Sequence, residues 1–234
     1  MEDAKPLIEG IILNMNKPAG WSSFDVVKKI RNISRIKKTG HAGTLDPFAT
    51  GVLLVALGAA TKKISSMMDL EKEYVGEIEL GIDTDTLDIT GKVTEELPTK
   101  HISAAEVANV CAKFIGEIDQ VPPKYSAIQI NGVRAYHLAR NGEKVDLKPR
   151  KVKIFEFEVL SFENPFLKVR VRCSKGTYIR ALARDIGKML GTGGYLKTLE
   201  RTRIGSYRIE DSLSISDFEK MVKNQQPGPL FKLV

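Results

Sequence analysis

GHAGTLDPFATGVLLVAL, residues 40–57, joins a glycine-punctuated loop to a continuous apolar run. The run VLLVAL (52–57) is short enough for a strand buried on both faces. The loop before it holds a single carboxylate, Asp46. Pro47 biases Asp46 away from helical geometry, while Gly40, Gly43 and Gly51 let the backbone turn tightly or approach another chain. An Asp-Pro turn is the ordinary explanation of such a dipeptide. Against it, the loop leads into a strand expected to be buried, which puts Asp46 at the rim of the core. A buried ionised carboxylate needs a cationic partner, and the loop-to-helix junction GTYIRALAR offers Arg180.

Outward from this stretch, GIILNMNKP (10–18) reads as a strand running into a Lys-Pro turn. SSFDVVKKIRNI follows as a helix, with Ser22 and Asp25 spaced as a capping box and Val26, Val27, Ile30 and Ile33 on one face. KEYVGEIELGI alternates, with Tyr74, Gly76, Ile78, Leu80 and Ile82 on one side. SAAEVANVCAKFIG predicts a helix opened by Ser103 and Glu106, with Val107, Val110, Cys111, Phe114 and Ile115 inward and Gly116 as its stop. KVKIFEFEVLSF and FLKVRVRCS predict a hairpin turning at Glu163-Asn164-Pro165. GTYIRALARDIGKMLG predicts a helix with Ile179, Leu182, Ile186 and Met189 inward and Arg180, Arg184 and Lys188 on the other side. A strand near RIGSYRI and a helix, SISDFEKMV, precede a frayed Pro-Gly end. Between the second helix and the hairpin, residues 121–151 hold two Asn-Gly pairs and many Lys and Arg, and read as an insert projecting from the body. Strands and helices interleave without a βαβ rhythm, so the fold class expected is α+β with a mixed, largely antiparallel sheet flanked by helices.

The 234 residues suffice for a full core. No apolar run approaches the roughly 18 residues a membrane span needs, and MEDAKPLIEGIILNMNKPAGW has no signal-peptide pattern. A cytoplasmic protein is therefore expected, with Cys111 and Cys173 as reduced core residues. Lys and Arg outnumber Asp and Glu by 36 to 29, a net charge of +7. Such a balance favours a polyanionic partner such as nucleic acid, although a merely soluble basic surface has the same composition.

Other chemistry is weaker. His41, His101 and His137 are far apart and none has a ligand partner at metal-binding spacing, so no metal is expected. The strand ending in Asp83-Thr-Asp85 is similar to an aspartate-dependent phosphohydrolase nucleophile motif, but Leu87 stands where that motif wants Thr or Val. A turn with local Asp and Thr hydrogen bonds is the plainer reading. GTGG (191–194) lacks a P-loop lysine and reads as a helix terminator.

Taken together, these segments resemble the tRNA pseudouridine-55 synthase family, known as TruB. HAGTLDPFATGVL is similar to its defining active-site motif. The likeness continues in order through NKPAGWSSFDVV, KEYVGEIELGIDTDTLDITG, PPKYSAIQINGVRAY, SKGTYIRALARDIG and YLKTLERTRIG. The resemblance implies isomerisation of a T-loop uridine of tRNA to pseudouridine, without a cofactor, on a nucleotide turned out of its stack. It makes Asp46 the catalytic nucleophile, at C1′ of the ribose or C6 of the uracil. Arg180 becomes the carboxylate's cationic partner, and Tyr74 the aromatic that stacks on the base and a candidate acceptor of the C5 proton. Tyr178 and Leu199 would line the pocket, His41 would hold neighbouring RNA, and Lys17 would support the loop. The insert 121–151 would be a thumb-like RNA-binding element on a single catalytic domain spanning 1–234. Phosphate contacts there would make affinity salt-dependent, with a slope of roughly −0.7 to −0.9 per contact.

Two departures stand out. Gln129 replaces an expected lysine, and the chain stops near KMVKNQQPGPLFKLV, too short for the separate C-terminal RNA-binding domain of many relatives. The resemblance implies no protein partner and a monomer. The competing readings are a catalytically inactive tRNA-binding or chaperone protein of the same fold, and a phosphohydrolase using Asp83.

Overall fold

The alternating apolar residues of IILNMNK form strand β1 (Ile11–Lys17). It opens a computed structural model that describes residues 10–126, 128–130, 132–141, 143 and 146–224. The first nine residues, the Pro-Gly end at 225–234 and positions 127, 131, 142, 144 and 145 of the expected insert lie outside the described residues. The chain divides into two compact units, one made of residues up to Glu73 and from Glu200 onward, the other of Tyr74–Leu199.

In the first unit β1 is followed by α1 (Ser23–Ser34), β2 (Thr39–Ala42), β3 (Thr50–Leu57), α2 (Ile64–Asp69) and the start of β4 (Lys72–Leu80). The α1 capping box forms as expected: the Asp25 amide donates to the Ser22 hydroxyl and the Ser22 amide donates to the Asp25 carboxylate. Two orphan helix-start donors are thereby satisfied. β1 and β3 pair antiparallel from Ile11↔Leu57 to Lys17↔Gly51. One face of this pair (Ile11, Leu13, Met15, Leu53, Val55, Leu57) buries against Val26, Val27 and Ile30 of α1. The other face (Ile12, Val52, Leu54, Ala56) buries with Ala42, Ala60 and Met67. VLLVAL is covered on both faces, which its composition requires.

The second unit continues β4 and adds β5 (Ile82–Thr84), β6 (Val93–Glu96), α3 (Ala104–Ala112) and β7 (Gly116–Gln120). Then come β8 (Gln129–Ile130), β9 (Val133–Arg134), α4 (Ala135–Arg140), β10 (Arg150–Glu163), β11 (Phe166–Cys173), α5 (Ile179–Met189) and the first part of β12 (Gly194–Ile204). The rest of β12, with β13 (Tyr207–Arg208) and α6 (Ile215–Lys223), returns to the first unit. There the strand order is β1-β3-β12, with β2 on β3 and β13 on β12; in the second unit it is β12-β4-β11-β10-β7. β3 and β12 run parallel, while β1–β3, β2–β3, β7–β10, β10–β11 and β12–β13 are antiparallel. The sheet is mixed and largely antiparallel with flanking helices, the α+β class that the interleaved pattern predicts.

The hairpin forms at Glu163-Asn164-Pro165, and Cys111 and Cys173 are buried thiols. Among the described residues no helix is long and apolar enough to cross a membrane. Three expectations need correction. α3 ends at Ala112, so Ile115 lies past the helix and is 51% exposed, and Gly116 starts β7 instead of stopping a helix. Met189 is 48% exposed because it sits in the last turn of α5, at the edge of the stripe formed by Ile179, Leu182 and Ile186. Arg150 and Lys151, assigned to the insert, belong to β10; the connecting segment spans 121–149 and leaves from the Gln120↔Arg150 pair.

Candidate active site

In the first unit the chain between β2 and β3 is fixed by its backbone. Ser23, the first residue of α1, donates its hydroxyl to the Leu45 carbonyl (3.2 Å) and accepts from the Leu45 amide (2.9 Å). Leu45 and Ala49 are buried. Between them Asp46 is half-buried, and its carbonyl accepts from the Ala49 amide at 3.1 Å, closing a turn. The Lys17 ammonium is fully buried and donates to the carbonyls of Trp21 (2.7 Å), Pro18 (2.9 Å) and Pro47 (3.2 Å). Burial pushes Lys17 down to about 8, against the attraction of the Asp46 carboxylate. Arg201 is buried as well, donating from Nε to the Val52 carbonyl (2.7 Å) and from Nη2 to the Gly43 carbonyl (3.0 Å). His41, on β2 opposite Val55, is held below the usual imidazole range by burial and then by the Arg201 charge.

In the second unit Tyr74 begins the buried face of β4, followed by Gly76, Ile78 and Leu80. A Cβ on Gly76 would lie 3.1 Å from the Thr198 carbonyl and 3.4 Å from Leu199 Cδ1. Glycine leaves the room in which buried Leu199 reaches β4, two residues from Tyr74. At the start of α5, Tyr178 is held by an amide clamp. Its N–H donates to Gln120 Oε1 (2.8 Å) and its carbonyl accepts from Gln120 Nε2 (3.1 Å).

Arg180 follows, buried, with Nη1 donating to the Thr86 carbonyl (2.9 Å) and Nη2 to the Tyr125 carbonyl (3.0 Å). Nη1 also faces Asp88 Oδ2 at 3.3 Å, an ion pair in which both residues are buried. Asp88 is locked in turn: its Oδ1 accepts from the Thr90 hydroxyl (2.6 Å), the Thr86 hydroxyl (2.8 Å) and the Thr90 amide (3.0 Å). Leu87 takes a left-handed φ of 62° to turn the chain there, a conformation costing roughly 1–2 kcal/mol outside glycine. One turn along α5, Arg184 Nη2 donates to the Val121 carbonyl at 2.9 Å. Arginines at i and i+4 thus hold the root of the segment joining β7 to β10.

Of the residues singled out from sequence, Lys17, His41 and Asp46 lie in the first unit and Tyr74, Tyr178, Arg180 and Leu199 in the second. Asp88, Gln120 and Arg201 were missed. Asp88 hides in DTDTLDIT, where every Asp and Thr looks like turn chemistry. The rival nucleophile has other duties: Asp83 Oδ1 accepts from the Gly194 amide and Asp85 Oδ1 from the Lys92 amide, each at 2.9 Å. Among the described residues no group of three or more His, Cys, Asp or Glu is placed to hold a metal ion. His101 and His137 are exposed.

The model of the TruB family pseudouridylate synthase N-terminal domain matches residues 31–179. That of the tRNA pseudouridylate synthase B C-terminal domain matches 180–234, starting inside α5. The chain is 49% identical over 208 residues to tRNA pseudouridine synthase B of Dehalococcoides mccartyi, covering 89% of this chain and 69% of that protein. It is 46% identical over 225 residues to the protein of that name from Phocaeicola vulgatus, covering 93% and 95%. Among solved structures, a Cbf5-Nop10-Gar1 complex is similar with a TM-score of 0.73 and 30% identity, covering 96% of this chain and 59% of that one. The archaeal box H/ACA sRNP Nop10-Cbf5 complex gives 0.70 and 27%, covering 97% and 60%. The chain therefore spans about three fifths of the length of those two structural relatives.

Proposed function

Because the chain belongs to the TruB family of pseudouridylate synthases, we propose that it converts one uridine in the T loop of tRNA to pseudouridine, with Asp46 as nucleophile. The reaction is an isomerisation. The N1–C1′ bond breaks, the uracil turns, a C5–C1′ bond forms, C5 loses its proton and N1 gains one. Nothing is oxidised or reduced, so side chains alone suffice. A carboxylate nucleophile divides the difficult exchange into two easier steps.

The observation that carries this reading is the 43–51 loop. It bears one acid, and the backbone on both sides of that acid is tied to buried groups: Leu45 to Ser23, Pro47 to Lys17. Such fixing suits a group that must meet a reacting carbon within a few tenths of an ångström. Arg180, oriented by Asp88 and two carbonyls, supplies the positive charge that keeps the reacting carboxylate ionised. Tyr74 stacks on the uracil and is a candidate acceptor of the C5 proton, with stacking the role assigned to it first. Tyr178 and Leu199 form walls of the pocket, and neutral His41 holds neighbouring RNA.

Extruding the uridine costs a few kcal/mol, supplied by the grip on the T stem-loop. The segment 121–149 acts as the RNA-holding thumb of a single catalytic domain that works as a monomer. The test is to incubate total tRNA lacking T-loop pseudouridine with the purified protein and map modified positions. One T-loop uridine is expected to change; modification elsewhere, or none, overturns the reading. Tritium release from C5-labelled uridine separates the enzyme from a protein that only binds.

A further inference from the structure

Gly51 closes the loop that carries Asp46, and it lies between two buried cations. On one side it pairs with Lys17 of β1, on the other with Arg201 of β12. The parallel approach of β12 is close: a Cβ at position 51 would come within 2.3 Å of the Arg201 carbonyl oxygen, and Gly51 has φ 102°. Only glycine permits that contact. The arginine so placed is among the largest fully buried side chains of the protein, 1% exposed. Among the described residues no carboxylate lies within ion-pairing distance of it.

A buried guanidinium without a carboxylate is expensive unless oriented dipoles replace the counter-ion. Here the dipoles belong to the loop. Arg201 Nη2 takes the Gly43 carbonyl where the chain leaves β2, and Nε takes the Val52 carbonyl just past Gly51. One planar group therefore spans both limbs, entry and exit, of the segment with Asp46 at its centre. Lys17 holds the middle through the Pro47 carbonyl. The fork geometry of arginine reaches two carbonyls at once; a lysine ammonium is a point charge on a flexible stem.

We propose that Arg201 is a positioning residue for the isomerisation: it clamps the two limbs of the 43–51 loop and so fixes where the Asp46 carboxylate stands. This rests on Asp46 being the nucleophile. Arg201 touches backbone and not RNA, so its loss acts on turnover and leaves substrate binding alone. Its charge also falls on His41, which gives an independent sign of its removal.

The test compares Arg201→Gln, Arg201→Lys and Asp46→Asn. The readings are single-turnover tritium release from C5-labelled T-loop tRNA, tRNA affinity by filter binding, thermal melting, and the His41 titration by NMR. Arg201→Gln is expected to slow turnover about 100-fold, the scale of a 1 Å misplacement, with tRNA affinity unchanged and the His41 midpoint raised. Arg201→Lys keeps the charge but reaches one carbonyl at a time. It should therefore recover part of the lost rate while leaving His41 near its native midpoint. Native turnover in Arg201→Gln overturns the proposal. So does joint loss of tRNA binding and cooperative melting in both arginine variants, which would make Arg201 a scaffold residue only. If Asp46→Asn turns over normally, the nucleophile assignment fails instead, whatever the arginine variants do.

Discussion

Replacing Asp88 by asparagine keeps the shape of the β5–β6 loop and removes one charge. At the observed 3.3 Å from Arg180, two unit charges attract by about 5 kcal/mol at an effective dielectric of about 20. Part of that is offset by desolvation. Removing one partner of a buried pair costs about 3–5 kcal/mol. Asparagine can keep the three hydrogen bonds accepted at Oδ1 from Thr86 and Thr90, so the loss falls on Arg180. If about 3 kcal/mol of it appears in the transition state, single-turnover pseudouridine formation slows about 150-fold. The assay is tritium release from C5-labelled tRNA, with filter binding to show that affinity survives and a melting curve to show that the fold does. A folded Asp88→Asn protein within about threefold of the native rate would refute the claim that Asp88 holds the Arg180 guanidinium in place for the reaction.

Gln120→Leu keeps the volume of the Tyr178 clamp and removes both of its hydrogen bonds. Two half-buried backbone groups lose their partner at about 0.5–1 kcal/mol each, so urea denaturation should report about 1–2 kcal/mol less stability; Gln120→Glu, which keeps only the acceptor, should fall between. Lys17 gives a pH prediction. Its folded value of about 8 lies below the ordinary 10.5, so between these values the unfolded chain binds more protons and stability rises with pH. The burial penalty is full below about pH 8 and relieved as the pH climbs towards 10.5. Denaturation free energies measured across that window should rise more steeply for the native protein than for Lys17→Met, and equal slopes would contradict the assignment.

Much of the scaffold was legible because its signals are local. Ser22 with Asp25 and Ser103 with Glu106 announce two helix starts through side chains three residues from the groups they satisfy. VLLVAL declares a doubly buried strand by having no polar face. The Asp46 loop was legible from its glycines, its proline and its lead into that strand, together with the family likeness.

What stayed hidden depends on residues distant in the chain. That β12 runs parallel to β3, putting Arg201 beside Gly51, follows from the whole topology and from no window of sequence. Gln120 and Arg201 turn inward onto backbone groups far along the chain, and Asp88 turns onto the distant Arg180 side chain, so each reads as ordinary surface until burial is known. Ile115 and Met189 failed for the opposite reason: helical spacing alone does not say where a helix stops being covered.

The most direct measurement is pseudouridine formation by Asp46→Asn on T-loop tRNA under single-turnover conditions, with the dissociation constant of the same variant for the same tRNA. Asparagine is nearly isosteric but cannot attack carbon as a carboxylate does. Turnover should fall at least about 1,000-fold while affinity stays within about threefold. Pseudouridine accumulating in the variant at a rate near that of the native enzyme would contradict the assignment of Asp46 as nucleophile.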